Sequence, residues 1–252
     1  MTSTGHLRIL GLGPGPLAWR TPEVEAALAE AEHIFGYTPY IARLPATITA
    51  QRHASDNGDE LLRARAALQL AASGARVAMV SGGDAGIFGM ASAVFEAIDQ
   101  GEAAWRDLDV LVLPGLSVML AAAARLGAPL GHDFCVLSLS DRLKPWSIIE
   151  RRLQAANHGD LALALYNPAS QTRRQQLEWA LACLRQGRGD ETVAMIARDI
   201  GGADERVSIT SLGGLNPADV DMRCLLLVGS STTRLIARPG RAPLVYTPRH
   251  YP

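Results

Sequence analysis

Three cysteines in 252 residues are few, and their placement at 135, 183 and 224 excludes more than their number does. They are odd in count, far apart and form no C-x-x-C pair, so neither a disulfide framework nor a zinc site is suggested. They read as small apolar core residues. An excess charge of one sign is missing too. Lys and Arg total 24 against 25 Asp and Glu, a net charge of −1. No run of Lys or Arg stands out, which argues against a nucleic-acid binder. No stretch approaches the roughly 18–20 uninterrupted apolar residues of a membrane span. The opening MTSTGHLRIL lacks the basic, apolar, small-residue order of a signal peptide. A cytoplasmic protein without nucleic-acid or membrane partners is the expectation. What is present fits a soluble globular class: 48% of residues are apolar and 19% charged. The length suits one large domain or two small ones.

Apolar runs alternate with Ala/Leu/Glu/Arg-rich stretches through the first half. LRILGLG, HIFGY, ARVAMVSGG and LDVLVLPG read as strands. A helix is predicted over residues 21–32, with Thr21 as N-cap and Pro22 at N1. Others are predicted over GDELLRARAALQLAAS, with Gly74 at C′, over AGIFGMASAVFEAID and over the small-residue LSVMLAAAARLG. The alternation predicts a largely parallel sheet with helices on its faces. GAPLGHD, residues 127–133, breaks the pattern. Beyond it FCVLSLS, DLALALYNP, ETVAMIARDIG, ERVSITSLGGL and MRCLLLVGSS read as strands, with helices over PWSIIERRLQAA and SQTRRQQLEWALACLRQG. The last strands follow one another without helices, which predicts antiparallel pairing. The expected architecture is α/β in two domains, 1–128 and 129–252, the first on a mostly parallel sheet and the second on a mixed one.

Absent pieces also define the loop after the first strand. Gly11 and Gly13 match the first two positions of G-x-G-x-x-G, but the third falls on Pro16. The second strand ends at Gly36-Tyr37 without the Asp or Glu that would hold a ribose. No Gly-Lys-Ser/Thr follows, so this is not a P-loop. Pro14 and Pro16 remove two N–H donors. The loop is a poor pyrophosphate cradle; it suits a tight turn or the close approach of a ligand without phosphates. MVSGGDAGIFGM places Ser81, Gly82, Gly83, Asp84 and Gly86 directly after the third strand, and LPGLS places Pro114, Gly115 and Ser117 after the fourth. In open α/β sheets ligands sit outside the carboxyl ends of the strands. Three glycine-bearing loops on that edge would let the main chain approach a flat ligand such as an adenosine. Asp84 reads either as a helix N-cap or as a carboxylate facing that ligand.

GLGPG, SGGDAGIFGM and LPGLS, in that order, resemble the successive motifs of the tetrapyrrole methylases, which use S-adenosylmethionine to methylate corrin and sirohaem precursors. FGYTPYIARL, RHASDNGDELLRARAALQLA, GIFGMASAVFE, LGAPLGHDFCVLSLSDRLKPWSIIERRL, LALYNPASQTRR and VYTPRHYP resemble the members that act at C17 of precorrin-3B in the cobalamin pathway. The resemblance covers essentially the whole chain. It implies two α/β domains with a cleft between them, and a homodimer. It implies that S-adenosylmethionine lies against Gly13, Pro14, Gly82, Gly83, Asp84 and Ile87, against Ser117 and Val118, and against Tyr166, Asn167, Ala197 and Arg198, leaving as S-adenosylhomocysteine. One departure is visible. The family usually has Gly-Asp-Pro, and here Ala85 follows Asp84, which removes a stiffening ring and keeps the carboxylate.

The implied reaction moves a methyl group to C17 and contracts the ring by extruding C20, giving precorrin-4. Methyl transfer is an in-line displacement, for which positioning alone can contribute about 7–11 kcal/mol. Contraction needs proton movement, hence an acid or base; Asp84 and His53 are the candidates. The carboxylates of the substrate call for cationic partners, and Arg52, Arg142, Lys144, Arg198 and Arg249 stand on motif-bearing segments. Asp56 joins the substrate set, although Asp56 or Asn57 also reads as the cap of the next helix. His132 and Asp133 sit at the expected domain joint, as hinge packing or as chemistry. DRLKPW reads as a lid or as an ordinary helix start. With no Cys/His cluster for a metal of its own, the chain leans toward the metal-free substrate. Cobalt-precorrin-3 C17 methylation, or another precorrin methylation, is the alternative. Pro16 and the missing ribose acid disfavour a nicotinamide-dependent oxidoreductase, and the intact glycine motifs disfavour a non-catalytic tetrapyrrole carrier.

Overall fold

In the first strand, β1 (His6–Gly11), Leu7 and Ile9 pack on one side and Leu10 on the other, and all three are fully buried. Such two-sided burial is the mark of an interior strand in a parallel sheet. The computed structural model describes residues 5–170 and 173–251; Gln171 and Thr172 of LALYNPASQTRR and Pro252 of VYTPRHYP lie outside the described residues. The chain divides into two compact units, Met1–Val118 and Met119–Pro252.

The first unit contains α1 (Pro22–Glu30), β2 (His33–Tyr37), α2 (Thr38–Ala42), β3 (Gln51–Ser55), α3 (Glu60–Ala72), β4 (Arg76–Ser81), α4 (Met90–Gln100) and β5 (Asp109–Leu113). The strands form one sheet in the order β3-β2-β4-β1-β5, parallel throughout. Leu7, Ile9, Val77 and Met79 pack with Ala64, Leu68 and Val94 of α3 and α4. Leu10, Ile34, Ala78 and Val80 pack on the other side with Val24, Leu28 and Ile41 of α1 and α2. Each fully buried aliphatic side chain contributes about 1.5–3 kcal/mol. Thr21 caps α1 as read from sequence, its Oγ1 accepting the Val24 N–H at 3.2 Å, and Gly74 is left-handed after α3 at φ +101°.

Two local expectations are corrected. RHAS is not merely a lead-in to a helix; it is edge strand β3, paired in parallel to β2 with His53 opposite Phe35. Its side chains are mostly exposed and polar, so no apolar pattern announces it. The helix predicted from Ala85 begins only at Met90, because Asp84 and Ser81 hold the intervening residues in turns.

The second unit carries α5 (Val118–Leu126), which opens one residue before it, then β6 (Gly127–Ala128), β7 (Phe134–Ser138), α6 (Trp146–His158), β8 (Ala162–Tyr166), α7 (Gln175–Arg185), β9 (Val193–Arg198), β10 (Arg206–Ser211), β11 (Cys224–Val228), β12 (Arg234–Ile236) and β13 (Leu244–Tyr246). Its main sheet runs β10-β9-β11-β8-β7. Only β7 and β8 pair in parallel; the other pairs are antiparallel, the mixed sheet expected. A smaller sheet, β12-β13-β6, joins the segment after α5 to the last strand. Cys183 and Cys224 lie inside the core and Cys135 packs against it. Burial pushes all three thiols up, Cys224 to about 11. Among the described residues no helix is long and apolar enough to cross a membrane, and no group of three or more His, Cys, Asp or Glu could hold a metal ion.

Candidate functional site

The three glycine loops leave the carboxyl ends of β4, β1 and β5, which are neighbours in the sheet. They meet main chain to main chain. Gly13 and Gly83 form an isolated bridge, the Gly13 N–H donating to Gly83 O at 3.0 Å and the Gly83 N–H to Gly13 O at 3.1 Å. Both are left-handed, at φ +69° and +65°, as glycine allows at little cost. A Cβ on Gly11 would stand 2.6 Å from Gly115 N, and one on Gly115 would run into the carbonyls of Gly83 and Gly11. Gly83 is less crowded: a Cβ there would meet Val118 N at 3.8 Å, and Leu116 O and Ser117 Cα at 3.9 Å, all at ordinary contact distance. The amides of Gly13 and Gly83 are thus spent on each other, and prolines occupy positions 14 and 16, so this part of the loop has no row of free N–H groups for a phosphate.

Asp84 ties the loops together. Its Oδ1 accepts the Gly86 N–H at 2.8 Å and its Oδ2 the Gly115 N–H at 3.0 Å. It is not a helix cap. Gly89 precedes α4, whose first N–H, at Met90, donates to Ser81 Oγ at 3.3 Å. The carboxylate is half-buried, with acceptor capacity left on both oxygens. Ile87 follows in the same turn, donating its N–H to Asp84 O at 3.4 Å. The first unit therefore brings Gly13, Gly82, Gly83, Asp84, Ile87, Ser117 and Val118 into one cluster, with Pro14 next to it.

Sequence reasoning missed two residues that build this cluster. Arg43 donates through one Nη2 to Gly13 O at 3.1 Å and Gly15 O at 3.0 Å, holding the proline-containing loop by its carbonyls. Tyr40 lays its ring where a Cβ of Gly82 would be, 2.6 Å from its Cζ, and burial raises its phenol pKa. Both stand in the quoted FGYTPYIARL, but nothing in their spacing identifies main-chain partners roughly 30 to 40 residues away.

His53, Arg52 and Asp56 are not brought to these loops. His53 lies in edge strand β3, stacked on Phe35 at 4.2 Å between ring centroids. Its Nε2 is 3.1 Å from Nδ1 of His33, and His33 opens β2, at the amino end of the sheet. Burial, then His33, lowers its pKa. Arg52 donates to the carbonyls of Leu44 at 3.3 Å and Pro45 at 2.6 Å. Asp56 gives its carbonyl to Arg63 at 2.7 Å, and neither it nor Asn57 caps α3, whose N-cap is Asp59.

In the second unit β7, β8 and β9 run the same way, so Ser138, Tyr166 and Arg198 end on one edge of the sheet. Asn167, left-handed at φ +51°, donates from Nδ2 to Ser138 Oγ at 3.0 Å, and the Tyr166 hydroxyl accepts the Met119 N–H at 3.4 Å. Ala197 is buried within β9. Arg198 bonds Asp221 Oδ2 through Nε at 3.2 Å and Nη2 at 2.9 Å. Burial pushes the Asp221 carboxyl up, but the Arg223 N–H, Arg198 and the Cys224 thiol outweigh it and hold it below the ordinary value. Arg142 is exposed in the loop after β7. Lys144, in the same loop, donates to Ser140 O at 3.1 Å; burial and then Arg152 lower its pKa. His132 and Asp133 stand 3.9 Å apart just before β7. Arg249 lies away from this edge, two residues before Tyr251, whose hydroxyl donates to Asp160 at the amino end of β8.

Known proteins place the chain. The model of the family described as Tetrapyrrole (Corrin/Porphyrin) Methylases matches residues 6–216. A precorrin-3B C(17)-methyltransferase from Sinorhizobium sp. is 47% identical over 248 residues, 98% of each chain. The cobalamin biosynthesis protein CobIJ of Mycobacterium tuberculosis is 46% identical over 253 residues; the match spans 99% of this chain and 49% of that longer one. The crystal structure of the methyltransferase CobJ superposes with a TM-score of 0.92 at 45% identity, covering 97% of this chain and all of the other. The chain belongs to the tetrapyrrole methylase family.

Proposed function

We propose that this chain transfers a methyl group from S-adenosylmethionine to C17 of precorrin-3B and contracts the ring to precorrin-4, a step of cobalamin biosynthesis. The observation that carries the reading is the glycine cluster at the carboxyl ends of β4, β1 and β5. Its mutual Gly13–Gly83 bonding leaves those amides nothing for a phosphate, and the loops of Gly11, Gly83 and Gly115 meet main chain to main chain. The residues fit the cofactor: Gly83 permits close approach to the main chain, Tyr40 packs over Gly82, and Asp84 sets a carboxylate beside them. When bound, S-adenosylmethionine supplies a methyl group on a cationic sulfonium.

The chain's own residues position and neutralise. Gly13, Pro14, Gly82, Gly83 and Ile87 shape the cofactor contact in the first unit, with Ser117 and Val118, and Asp84 fixes two of the loops while keeping acceptor capacity free. Tyr166, Asn167, Ala197 and Arg198 are the cofactor residues that the family resemblance implies within the second unit. Arg142 and Lys144 take substrate carboxylates, for which a guanidinium offers two parallel donors. In this reading residues 1–128 carry the cofactor loops and 129–252 the remainder, and the enzyme works as a cytoplasmic homodimer.

Calorimetry with S-adenosylhomocysteine, then turnover assays with precorrin-3B and with cobalt-precorrin-3, test it. The expected result is tight binding, and methylation with contraction of the metal-free substrate. Turnover of the cobalt complex alone would move the chain to the anaerobic reaction. NAD binding without S-adenosylhomocysteine binding would overturn the assignment.

A further inference from the structure

Four non-glycine residues among those described have positive φ: Phe88, Asp160, Asn167 and Asp199. Three are Asp or Asn, whose short polar side chains tolerate the left-handed region. Phe88, at φ +51°, is the exception. It is also 54% exposed. A bulky apolar residue here accepts an unfavourable backbone and leaves much of its ring in water, and strain of this kind persists only where the surroundings impose it.

The surroundings do impose it. Before Phe88, the Asp84 carboxylate takes the Gly86 and Gly115 N–H groups, and the Ile87 N–H reaches Asp84 O at 3.4 Å. After it, the Ala91 N–H donates to Ala85 O at 3.0 Å, and Met90 is tied to Ser81. Gly89 is closed as well: a Cβ there would lie 2.6 Å from Ala85 O and 2.7 Å from Ser81 Oγ. The chain is pinned on both sides of Phe88, in the turn that follows the glycine cluster, and the residue is 54% exposed there.

A phenyl ring has no donor or acceptor, so it recognises a flat apolar or conjugated surface. The carboxylate rim of a tetrapyrrole offers it nothing; the face of the macrocycle does. We infer that Phe88 is a substrate-binding residue, a fixed platform on which the face of the tetrapyrrole stacks. The inference rests on the function proposed above.

The test uses the full chain and the variants Phe88→Ala, Phe88→Tyr and Phe88→Gly. It reads KM and kcat for precorrin-3B, the Kd of S-adenosylhomocysteine, and the thermal midpoint. Phe88→Ala is expected to raise KM about tenfold, the order of one lost aromatic stack. Its S-adenosylhomocysteine affinity is expected to stay within about twofold of wild type, well short of one such stack. Phe88→Tyr, which keeps the ring, is expected to restore KM. Phe88→Gly, which relieves the left-handed strain, is expected to unfold at or above the wild-type midpoint. Unchanged KM in Phe88→Ala overturns the inference. So does a parallel loss of S-adenosylhomocysteine affinity, which would make the ring a cofactor contact, or a large fall in midpoint for both Phe88→Gly and Phe88→Ala, which would make it core. If the wild type binds S-adenosylhomocysteine but does not turn over precorrin-3B, the proposed function fails separately. Fluorescence titration with uroporphyrin as the probe then decides on Phe88: weaker binding in Phe88→Ala supports the platform, and equal binding overturns it.

Discussion

At the scale of the residue, Asp84 carries the sharpest expectation. Each of its oxygens holds one main-chain N–H, and a donor left without its acceptor costs about 1–3 kcal/mol when buried, less when water can reach it. Asp84→Ala should therefore lower the unfolding midpoint modestly and turnover by more than about tenfold, a loss exceeding 1.4 kcal/mol in the transition state. Asp84→Asn keeps one acceptor and turns an NH2 toward the Gly115 N–H, so only part of the stability should return. Wild-type turnover in Asp84→Asn would refute an active role for the charge. Sequence alone left Asp84 open between cap and ligand-facing carboxylate, since both need the same residue after a strand; only the start of α4 at Met90 separates them. Arg43 was illegible for a related reason. Its partners are carbonyl oxygens, which every residue has, so no pattern of residue types records the contact.

At the scale of the element, the glycine loops depend on backbones touching. Gly115→Ala would drive a Cβ into the carbonyls of Gly83 and Gly11, the first of which accepts the Gly13 N–H in the Gly13–Gly83 bridge. A cost of about 1–3 kcal/mol is expected, the range for overpacking. Gly58 is the natural control. Unlike Gly115 it is left-handed, at φ +106°, and a Cβ there would meet nothing within 4 Å, so Gly58→Ala should lose about 1–2 kcal/mol from backbone strain alone. Urea unfolding reports the two costs, and S-adenosylhomocysteine binding, expected to fall only in Gly115→Ala, separates the variants. Equal binding by both would show that the close approach of the loops is not what shapes the ligand contact. The strands that position these loops were legible because burial on both faces writes nearly continuous apolar runs, as in LRIL and VAMV. β3 was not. QRHAS sits on an exposed edge, where pairing to β2 uses main-chain groups and leaves side-chain choice free.

At the scale of the whole molecule, the perturbed histidines and carboxylates make stability depend on pH with one sign on the acid side of neutrality. Burial lowers His53 and His6. An unfolded histidine, with a pKa of about 6.5, binds protons that the folded one resists, so their contribution is present above that value and lost as pH falls through the depressed folded one. Asp109 is held low by Arg8, and Glu205 by Arg125. Asp160 is raised by burial and then lowered further by Ser231, Tyr251 and Arg188. These carboxylates stabilise above their unfolded values and cease to do so as pH falls through their folded ones. The urea midpoint should decline in two stages as pH falls from neutrality, with His53→Gln shrinking the first. A midpoint that rises between about pH 7 and 5, the range histidine titration spans, would contradict the assignment. The two-sheet plan was readable from the change in alternation near residue 127, whereas the small β12-β13-β6 sheet was not, since Gly127–Ala128 carries no strand signature. That sheet sets a clock. Thr247 Oγ1 donates to Pro129 O at 2.6 Å across a separation of 118 residues, and β13 pairs with β6 beside it. At about 5–20 residues per second of synthesis, β6 waits roughly 6–24 s for its partner. A strand of two residues offers little edge for a neighbouring nascent chain to seize in that interval.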